Sequence, residues 1–286
     1  MSTQVDATSK AAVLIEALPY IQRFRDSTIV MKLGGSVLTD TSVFEGVLRD
    51  IVFLECVGAR PVVLHGGGKD ISARLQELGI SSRFINGLRY TCEETLKVVD
   101  EVLHERVNPR LVDAINASGG RAAPVSGKGV FRAERLQSGV DLGRVGHVTG
   151  VEVAELKSLL ASDRVPVVTP LAIDADGAAY NINADVSACR LAEALQAAKL
   201  VFLSDVPGVL RDAEDPSTLI STIHVDEVPD LISCGVIAGG MRPKIESAVA
   251  ALAAGCGQVH LIDARLQHSI LLEIFTDQGV GTQLIN

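Results

Sequence analysis

The chain has 286 residues, 47% hydrophobic, 21% charged and only 3% aromatic, with a formal net charge of -9. That length buries a substantial core, and with no tryptophan the core must be aliphatic. The acidic balance argues against a nucleic-acid binder, which needs clustered lysine and arginine to neutralise phosphates, so no nucleic-acid partner is expected.

The first 27 residues form an arm. Val13, Leu14, Ala17, Leu18 and Ile21 fall at helical spacing, and Pro19, lacking an amide hydrogen, is expected to bend or break that helix. Such an arm either covers the end of a sheet or docks on another subunit. Apolar runs of buried-strand length then occur at 28–33, 61–64, 122–125, 165–169, 200–203 and 258–262. Helical periodicity lies between and after them, at 44–57, 71–78, 93–116, 153–160, 186–197, 243–253 and 267–275. This alternation predicts an α/β fold, a mainly parallel sheet sandwiched by helices. Segments 131–148 and 171–182 break the rhythm, with turn residues between apolar flanks, and read as β-hairpin insertions. We expect one compact unit of two lobes, 28–195 and 196–286.

Cys56, Cys92, Cys189, Cys234 and Cys256 are scattered, with no C-x-x-C pair. They read as reduced, packed cysteines of a cytoplasmic-type compartment. Residues 1–10 are polar, without the apolar core of a secretory signal, and no uncharged stretch reaches the ~20 residues of a membrane span. A soluble protein is expected.

Five motifs carry the chemistry. Lys32-Leu33-Gly34-Gly35-Ser36 ends the first strand. Glycines there let backbone amides approach an anion, and the lysine adds a point charge. The spacing is not that of a Walker A loop. His65-Gly66-Gly67-Gly68-Lys69 follows the second strand and precedes a helix. One glycine would suffice for a turn, so three in succession point to an anion site. Two bare loops at the carboxyl ends of neighbouring parallel strands suggest a polyanion held between them.

Asn86-Gly87-Leu88-Arg89 offers a guanidinium that can grip a carboxylate in bidentate fashion, although alone it reads as a surface arginine. Asn181-Ile182-Asn183-Ala184-Asp185 closes the second hairpin and opens a helix. Asp185 is either a helix N-cap or a functional carboxylate, and alternation sets Asn181, Asn183 and Asp185 on one side of an extended segment. In Gly239-Gly240-Met241-Arg242-Pro243-Lys244, Pro243 suits the first helical position. Lys244 then stands in the opening turn, against the helix dipole, a placement that makes sense beside a bound anion.

Together, in this order, the motifs resemble those of the amino-acid kinase superfamily and, within it, the acetylglutamate kinases. The resemblance runs from about Ile29 to Leu284. It implies transfer of the γ-phosphoryl group of ATP, carried with Mg²⁺, to the γ-carboxylate of N-acetyl-L-glutamate. Lys32 and Lys244 would stabilise the transferring group, with Asp185 holding both ammonium groups. Gly34, Gly35 and Gly66 would supply amides to the phosphates, and Gly67, Gly68, Arg89, Asn181 and Asn183 would bind the substrate. Ser204, Asp205 and Gly208 fall in a segment resembling the ATP site. An ionised carboxylate needs no general base, so catalysis would rest on positioning and positive charge, and Mg²⁺ would be held by phosphate and water rather than by a protein metal site. The continuation of Ser126-Gly127-Lys128-Gly129 into Val130-Phe131, and the hairpin at 137–148, depart from the family's pattern.

An N-terminal helix resembles the arginine-inhibited branch, in which arms interlace dimers into a hexamer. By that resemblance Tyr20, His260, Glu273, Gly279 and Gly281 would line an arginine pocket. A satisfied sheet histidine and a solvated helix glutamate are the plain readings of His260 and Glu273. The resemblance leaves a PII-type signalling protein open as a partner. The rivals are another amino-acid kinase, acting on glutamate or aspartate, and a silent homologue that binds arginine or nucleotide as a regulatory subunit. Keeping Lys32, Asp185 and Lys244 together argues against silence.

Overall fold

A computed structural model describes residues 7–276 and 279–286. Helix α1 (Ala7–Phe24) leads into β1 (Thr28–Leu33), α2 (Gly35–Thr39), α3 (Thr41–Cys56), β2 (Arg60–His65) and α4 (Gly68–Glu77). A small hairpin follows, β3 (Phe84–Ile85) and β4 (Leu88–Arg89). Helix α5 (Glu93–Glu101) passes through a π-helical segment, Val102–Val107, into α6 (Asn108–Ala117). Then come β5 (Ala122–Val125), α7 (Gly127–Val130), β6 (Phe131–Arg135), β7 (Val145–Val151), α8 (Ala154–Ala161) and β8 (Val165–Val168). The second hairpin is β9 (Leu171–Ile173) with β10 (Ala179–Ile182), and it runs into α9 (Ala184–Leu195) and β11 (Lys199–Ser204). The last part holds β12 (Thr222–His224), α10 (Val228–Ser233), α11 (Met241–Ala253), β13 (Gln258–Asp263), α12 (Ser269–Phe275) and β14 (Thr282–Ile285).

Eight strands form one sheet in the order β12-β14-β13-β11-β1-β2-β8-β5. The six from β13 to β5 are parallel, and β14 runs antiparallel to β13 with β12 parallel to β14. Strand alternation divides the aliphatic core between the two faces. Val30, Leu64 and Phe202 point to the side covered by Leu191 of α9 and Ile245 of α11. Ile29, Met31, Val63 and Leu203 point to the side covered by Ile51 of α3 and Leu111 of α6. The expected αβα layering is therefore present.

Each sequence-expected strand is found within a residue at either end. The two strands at one edge of the sheet, β12 and β14, were not foreseen; at three and four residues they are too short to show a period. Both hairpins exist, and they also pair with one another. β10 lies parallel to β7 and β6 parallel to β9, closing a four-stranded barrel. Among the described residues no helix is long and apolar enough to cross a membrane.

The expected helical arm is present, and Pro19 does not break it. Helix α1 runs unbroken through Pro19, its side chains largely exposed around that point. A carbonyl that loses its intrahelical partner on an exposed helix can bond water, which lowers the penalty. Only the last turns dock, with Tyr20 and Phe24 edge-on to Phe275 of α12. Val13, Leu14 and Ile15 are 62%, 69% and 67% exposed, so these side chains pack little against the other described residues.

Gly146 of β7 points into the barrel, where an added Cβ would lie 2.8 Å from Tyr180 Cβ and 3.1 Å from Ala133 Cβ. Gly146→Val overpacks this closure and is expected to destabilise the protein by about 1–3 kcal/mol. Urea unfolding measures it, and an unchanged midpoint at constant slope contradicts the barrel packing.

Candidate active site

Strands β1, β2 and β11 are neighbours in parallel register, and their carboxyl ends deliver the loops that form the site. Lys32, next to last in β1, is turned to Asp185 in the first turn of α9, with Nζ to Oδ1 at 2.7 Å. Lys244 of α11 approaches the other oxygen, Nζ to Oδ2 at 3.6 Å. Both lysine side chains are only 13% exposed. Three distant stretches of chain thus meet at one carboxylate.

Asp185 is free to do this because Asn183, not Asp185, is the N-cap of α9. The Asn183 side-chain oxygen accepts from the amides of Asp185 (2.8 Å) and Val186 (3.1 Å). Burial alone would raise the Asp185 carboxyl, but the Lys32 and Lys244 ammonium groups outweigh it and hold the pKa below its ordinary value. Burial, with repulsion from Lys32, lowers Lys244 despite the attraction of Asp185. Lys244 also stacks its ammonium over Phe202, 5.1 Å from the ring centroid. Helix α11 starts at Met241 after Gly240, so Pro243 occupies the third position rather than the expected first. That position still lacks an intrahelical partner for its nitrogen, which is why proline is tolerated.

Two adjoining cavities flank the cluster. One, of about 750 Å³, is lined by Lys32, Gly35, the three loop glycines, Lys69 and Asn183. The other, of about 560 Å³, lies among Gly87, Val145–Val148, Asn183, Gly240 and Lys244. They share Gly87, Asn183 and Asp185. Motif reading passed over Lys69 as an individual residue and named no site residue on β7, which it read only as part of a hairpin. Its place directly after the glycines was the available signal for Lys69, whose Nζ donates to Thr39 Oγ1 at 3.2 Å.

The glycines divide by role. The amide of Gly34 donates to Leu203 O (2.9 Å) and that of Gly66 to Leu33 O (3.0 Å). These two amides, expected to face phosphates, instead tie each loop to the neighbouring strand. A Cβ on Gly34 would lie 2.9 Å from Leu203 O, so this close approach requires glycine. The amides of Gly35, Gly67 and Gly68 have no hydrogen-bond partner among the described residues. Ser204, at the end of β11, has its Cα 3.7 Å from that same Gly34 Cβ position, and its buried Oγ has no partner among the described residues. Asp205 follows it, and Gly208, at φ 137°, packs where a side chain would collide with Thr282.

Arg89 is not the exposed residue of the plain reading; it is 7% exposed. Its Nη2 donates to Gly68 O and Ser72 Oγ, both at 2.8 Å, its Nη1 to Ser82 Oγ, and its guanidinium lies over Phe84. No carboxylate pairs with it among the described residues, and burial lowers its pKa. Asn181 donates from Nδ2 to Thr91 Oγ1 at 3.1 Å, and Thr91 donates in turn to Arg89 O. Arg89 and Asn181 are therefore linked through Thr91 rather than lining the cavities directly.

The remaining predicted residues lie elsewhere. Tyr20, His260, Glu273 and Gly279 line a separate cavity of about 150 Å³ beside α1, with Lys199 and Gln258. Glu273 accepts from His260 Nδ1 (2.7 Å), Val280 N (2.6 Å) and Gly281 N (3.0 Å). His260 Nε2 lies 2.8 Å from Lys199 Nζ, and burial pushes that lysine down to about 8. Burial lowers His260 as well. Glu273, which burial would raise, is held below its ordinary value by His260 and the two amides. The plain reading of His260 as a satisfied sheet histidine holds, although it also lines a cavity; that of Glu273 as a solvated helix residue does not, since it is buried.

Residues 27–263 match the sequence model of the amino acid kinase family. The chain belongs to that family. Within it, the likeness runs along nearly the whole chain to acetylglutamate kinases. That of Heliobacterium modesticaldum is 44% identical, over 98% of this chain and 99% of its own. That of a Nostoc species is 46% identical, over 99% and 95%. Among solved structures, N-acetylglutamate synthase from Neisseria gonorrhoeae with coenzyme A and N-acetyl-glutamate superposes with a TM-score of 0.85 at 29% identity. This chain covers 63% of that protein with 96% of its own length. The same synthase with coenzyme A and L-arginine gives a TM-score of 0.80 at 27% identity, covering 96% of this chain and 65% of that one.

The depressed Asp185 pKa has a sign. A carboxylate stabilised in the folded state contributes fully above its unfolded pKa of about 4 and ceases to contribute as pH falls through the lower folded value. Asp185→Asn should therefore be less stable than wild type by ~3 kcal/mol at pH 7, since two buried ammonium groups lose their counter-charge. The gap should begin to narrow as pH falls below about 4. Chemical denaturation at pH 7, 5 and 3 measures it, and a gap at pH 3 as wide as that at pH 7 contradicts the ion-pair account.

Proposed function

We infer that the chain acts as a kinase, on the ground of its family and its likeness to acetylglutamate kinases. We propose that it transfers the γ-phosphoryl group of ATP to the γ-carboxylate of N-acetyl-L-glutamate, giving the acyl phosphate. The observation that carries this reading is the pairing of Lys32 and Lys244 on one carboxylate between two glycine loops. The difficulty in this reaction is that an anionic carboxylate must meet an anionic nucleotide. Two ammonium groups and the bare amides of Gly35, Gly67 and Gly68 oppose that repulsion where charge moves in the transition state. No base is needed, since the attacking carboxylate is already ionised at neutral pH. Asp185 keeps the ammonium groups apart in fixed positions.

Asp185 is occupied by both lysines and is not free to ligate a divalent cation, so Mg²⁺ in this reading enters with the nucleotide, on phosphate oxygens and water. Asn183 lies at the seam of both cavities, while Arg89 and Asn181 shape the substrate side through Gly68, Ser72 and Thr91. Ser204, Asp205 and Gly208 belong to the nucleotide side, in the second of two lobes meeting near residue 195.

A second reading concerns control. The cavity between α1 and β13 supports an arginine site. Glu273 has three of about four lone-pair positions filled, which leaves one for a guanidinium or amine. The related synthase was solved with L-arginine. The exposed apolar face of α1 supports docking of arms between dimers into a hexamer.

Hydroxamate formation with N-acetyl-L-glutamate, glutamate and aspartate, each with and without arginine, tests both readings. Turnover should be confined to the acetylated substrate and should fall with arginine. Lys32→Ala and Lys244→Ala should each lower kcat about a hundredfold, or ~3 kcal/mol. Equal turnover of glutamate sinks the substrate assignment. Removing residues 1–26 should reduce the particle from hexamer to dimer and weaken inhibition; unchanged mass and inhibition would refute the role of the arm.

A further inference from the structure

A triple-glycine loop is easy to bring close to an anion and hard to keep still. Without Cβ atoms on either side, the peptide plane between Gly66 and Gly67 can flip at little steric penalty, reversing its amide. In a trans peptide the carbonyl and the following N–H point in opposite directions. Whatever holds the Gly66 carbonyl therefore aims the Gly67 amide.

His65 holds it. The ring is fully buried, and Nδ1 lies 2.8 Å from Gly66 O. On the other side, Asn108 Nδ2 lies 3.2 Å from His65 Nε2 and donates its second hydrogen to Val167 O at 2.7 Å. An amide nitrogen only donates, so Nε2 must accept and the proton must sit on Nδ1, where it meets the Gly66 carbonyl. Burial pushes His65 down to about 4, which keeps the ring neutral at physiological pH. Asn108 is itself 2% exposed and begins α6 directly after the π-helical segment.

That segment also packs on the loop. A Cβ on Gly67 would lie 2.6 Å from Leu103 Cδ2 and 3.7 Å from Val107 Cγ2. The other loop carbonyls are held in the same manner. Gly67 O accepts from the Ile71 amide at 2.8 Å, and Gly68 O accepts from Arg89 Nη2 and Ser72 Oγ, each at 2.8 Å. Only the Gly66 plane depends on a side chain from the preceding strand.

We propose that His65 is a positioning residue, whose Nδ1–H fixes the Gly66–Gly67 peptide so that the Gly67 amide points at the transferring phosphoryl group. The inference rests on the phosphate-binding role of the loop proposed above. Its alternative is a core histidine that merely fills space, and two substitutions separate them. In His65→Asn the side-chain Nδ2–H stands near Nδ1 and keeps the donor to Gly66 O. In His65→Gln the terminal amide reaches the Nε2 position and keeps the Asn108 contact while losing that donor.

His65→Gln should lower kcat about thirtyfold, with the KM for N-acetyl-L-glutamate within about twofold of wild type. His65→Asn should keep kcat within about threefold. A space-filling role predicts equal losses in both, tracking melting temperature; equal kcat values overturn the proposal. Lys32→Ala runs alongside. An unchanged rate there refutes the reading of the site, whereas equal His65 variants refute only the role of His65. ¹⁵N-histidine spectra of the wild-type protein give a second test that needs no variant to fold. His65 should carry its proton on Nδ1 at pH 7, and a proton on Nε2 overturns the proposal.

Discussion

One carboxylate between two ammonium groups is the constraint on which the site depends. Lys32, Asp185 and Lys244 come from the first strand, a helix in mid-chain and a helix near the end, and they meet only when the whole sheet is assembled. Two buried like charges side by side are unfavourable, and Asp185 offsets that repulsion without cancelling it. The cluster keeps an excess of positive charge in a half-buried setting, where each charge acts more strongly than in water. An anion entering between the loops meets a field already in place, and no group has to reorganise as charge moves.

The topology explains how such a field is kept rigid. β1 lies in the middle of the sheet with β2 and β11 on either side, so Lys32, the triple-glycine loop and Ser204 sit on adjacent strand ends. Each glycine loop is tied to its neighbour by its first amide, through Leu203 O and Leu33 O. The loops are therefore extensions of the sheet more than free connections. The barrel formed by the two hairpins closes the far side, with β7 lining the second cavity.

Much of this was legible in the sequence because it is local. Strand ends followed by glycines, and a lysine placed against a helix dipole, carry their physics within a few residues. What was not legible depends on contacts distant in the chain. The Gly34 and Gly66 amides looked as bare as those of Gly35 and Gly67, and only the neighbouring strand shows which are taken. Asn183 and Asp185 are both good N-cap residues, and the choice between them follows from where Lys32 and Lys244 arrive. Closure of the barrel pairs β6 with β9, segments that each read as part of a separate hairpin. The π-helical turn at Val102–Val107 sits in an unbroken amphipathic pattern, so periodicity reads straight through it.

The same architecture bears on control. β11 begins at Lys199, in the cavity beside α1, and ends at Ser204, next to Gly34. Five residue steps of strand separate the two, roughly 17 Å. That span is too long for direct contact and is filled by a buried strand paired on both sides. A ligand in the first cavity, as proposed, would therefore alter catalysis only by favouring one placement of a packed element over another. The element best placed for this is α12, which carries Glu273 into that cavity. Phe275 of α12 meets the rings of Tyr20, Phe24 and Phe53, so the helix touches both the arm and α3. Its opening turn is held by Asp50 of α3, itself paired with His268 at 2.7 Å. In the proposed control, occupancy of the cavity and position of the arm would act on one short helix, because Tyr20 of the arm and Glu273 of α12 line the same cavity.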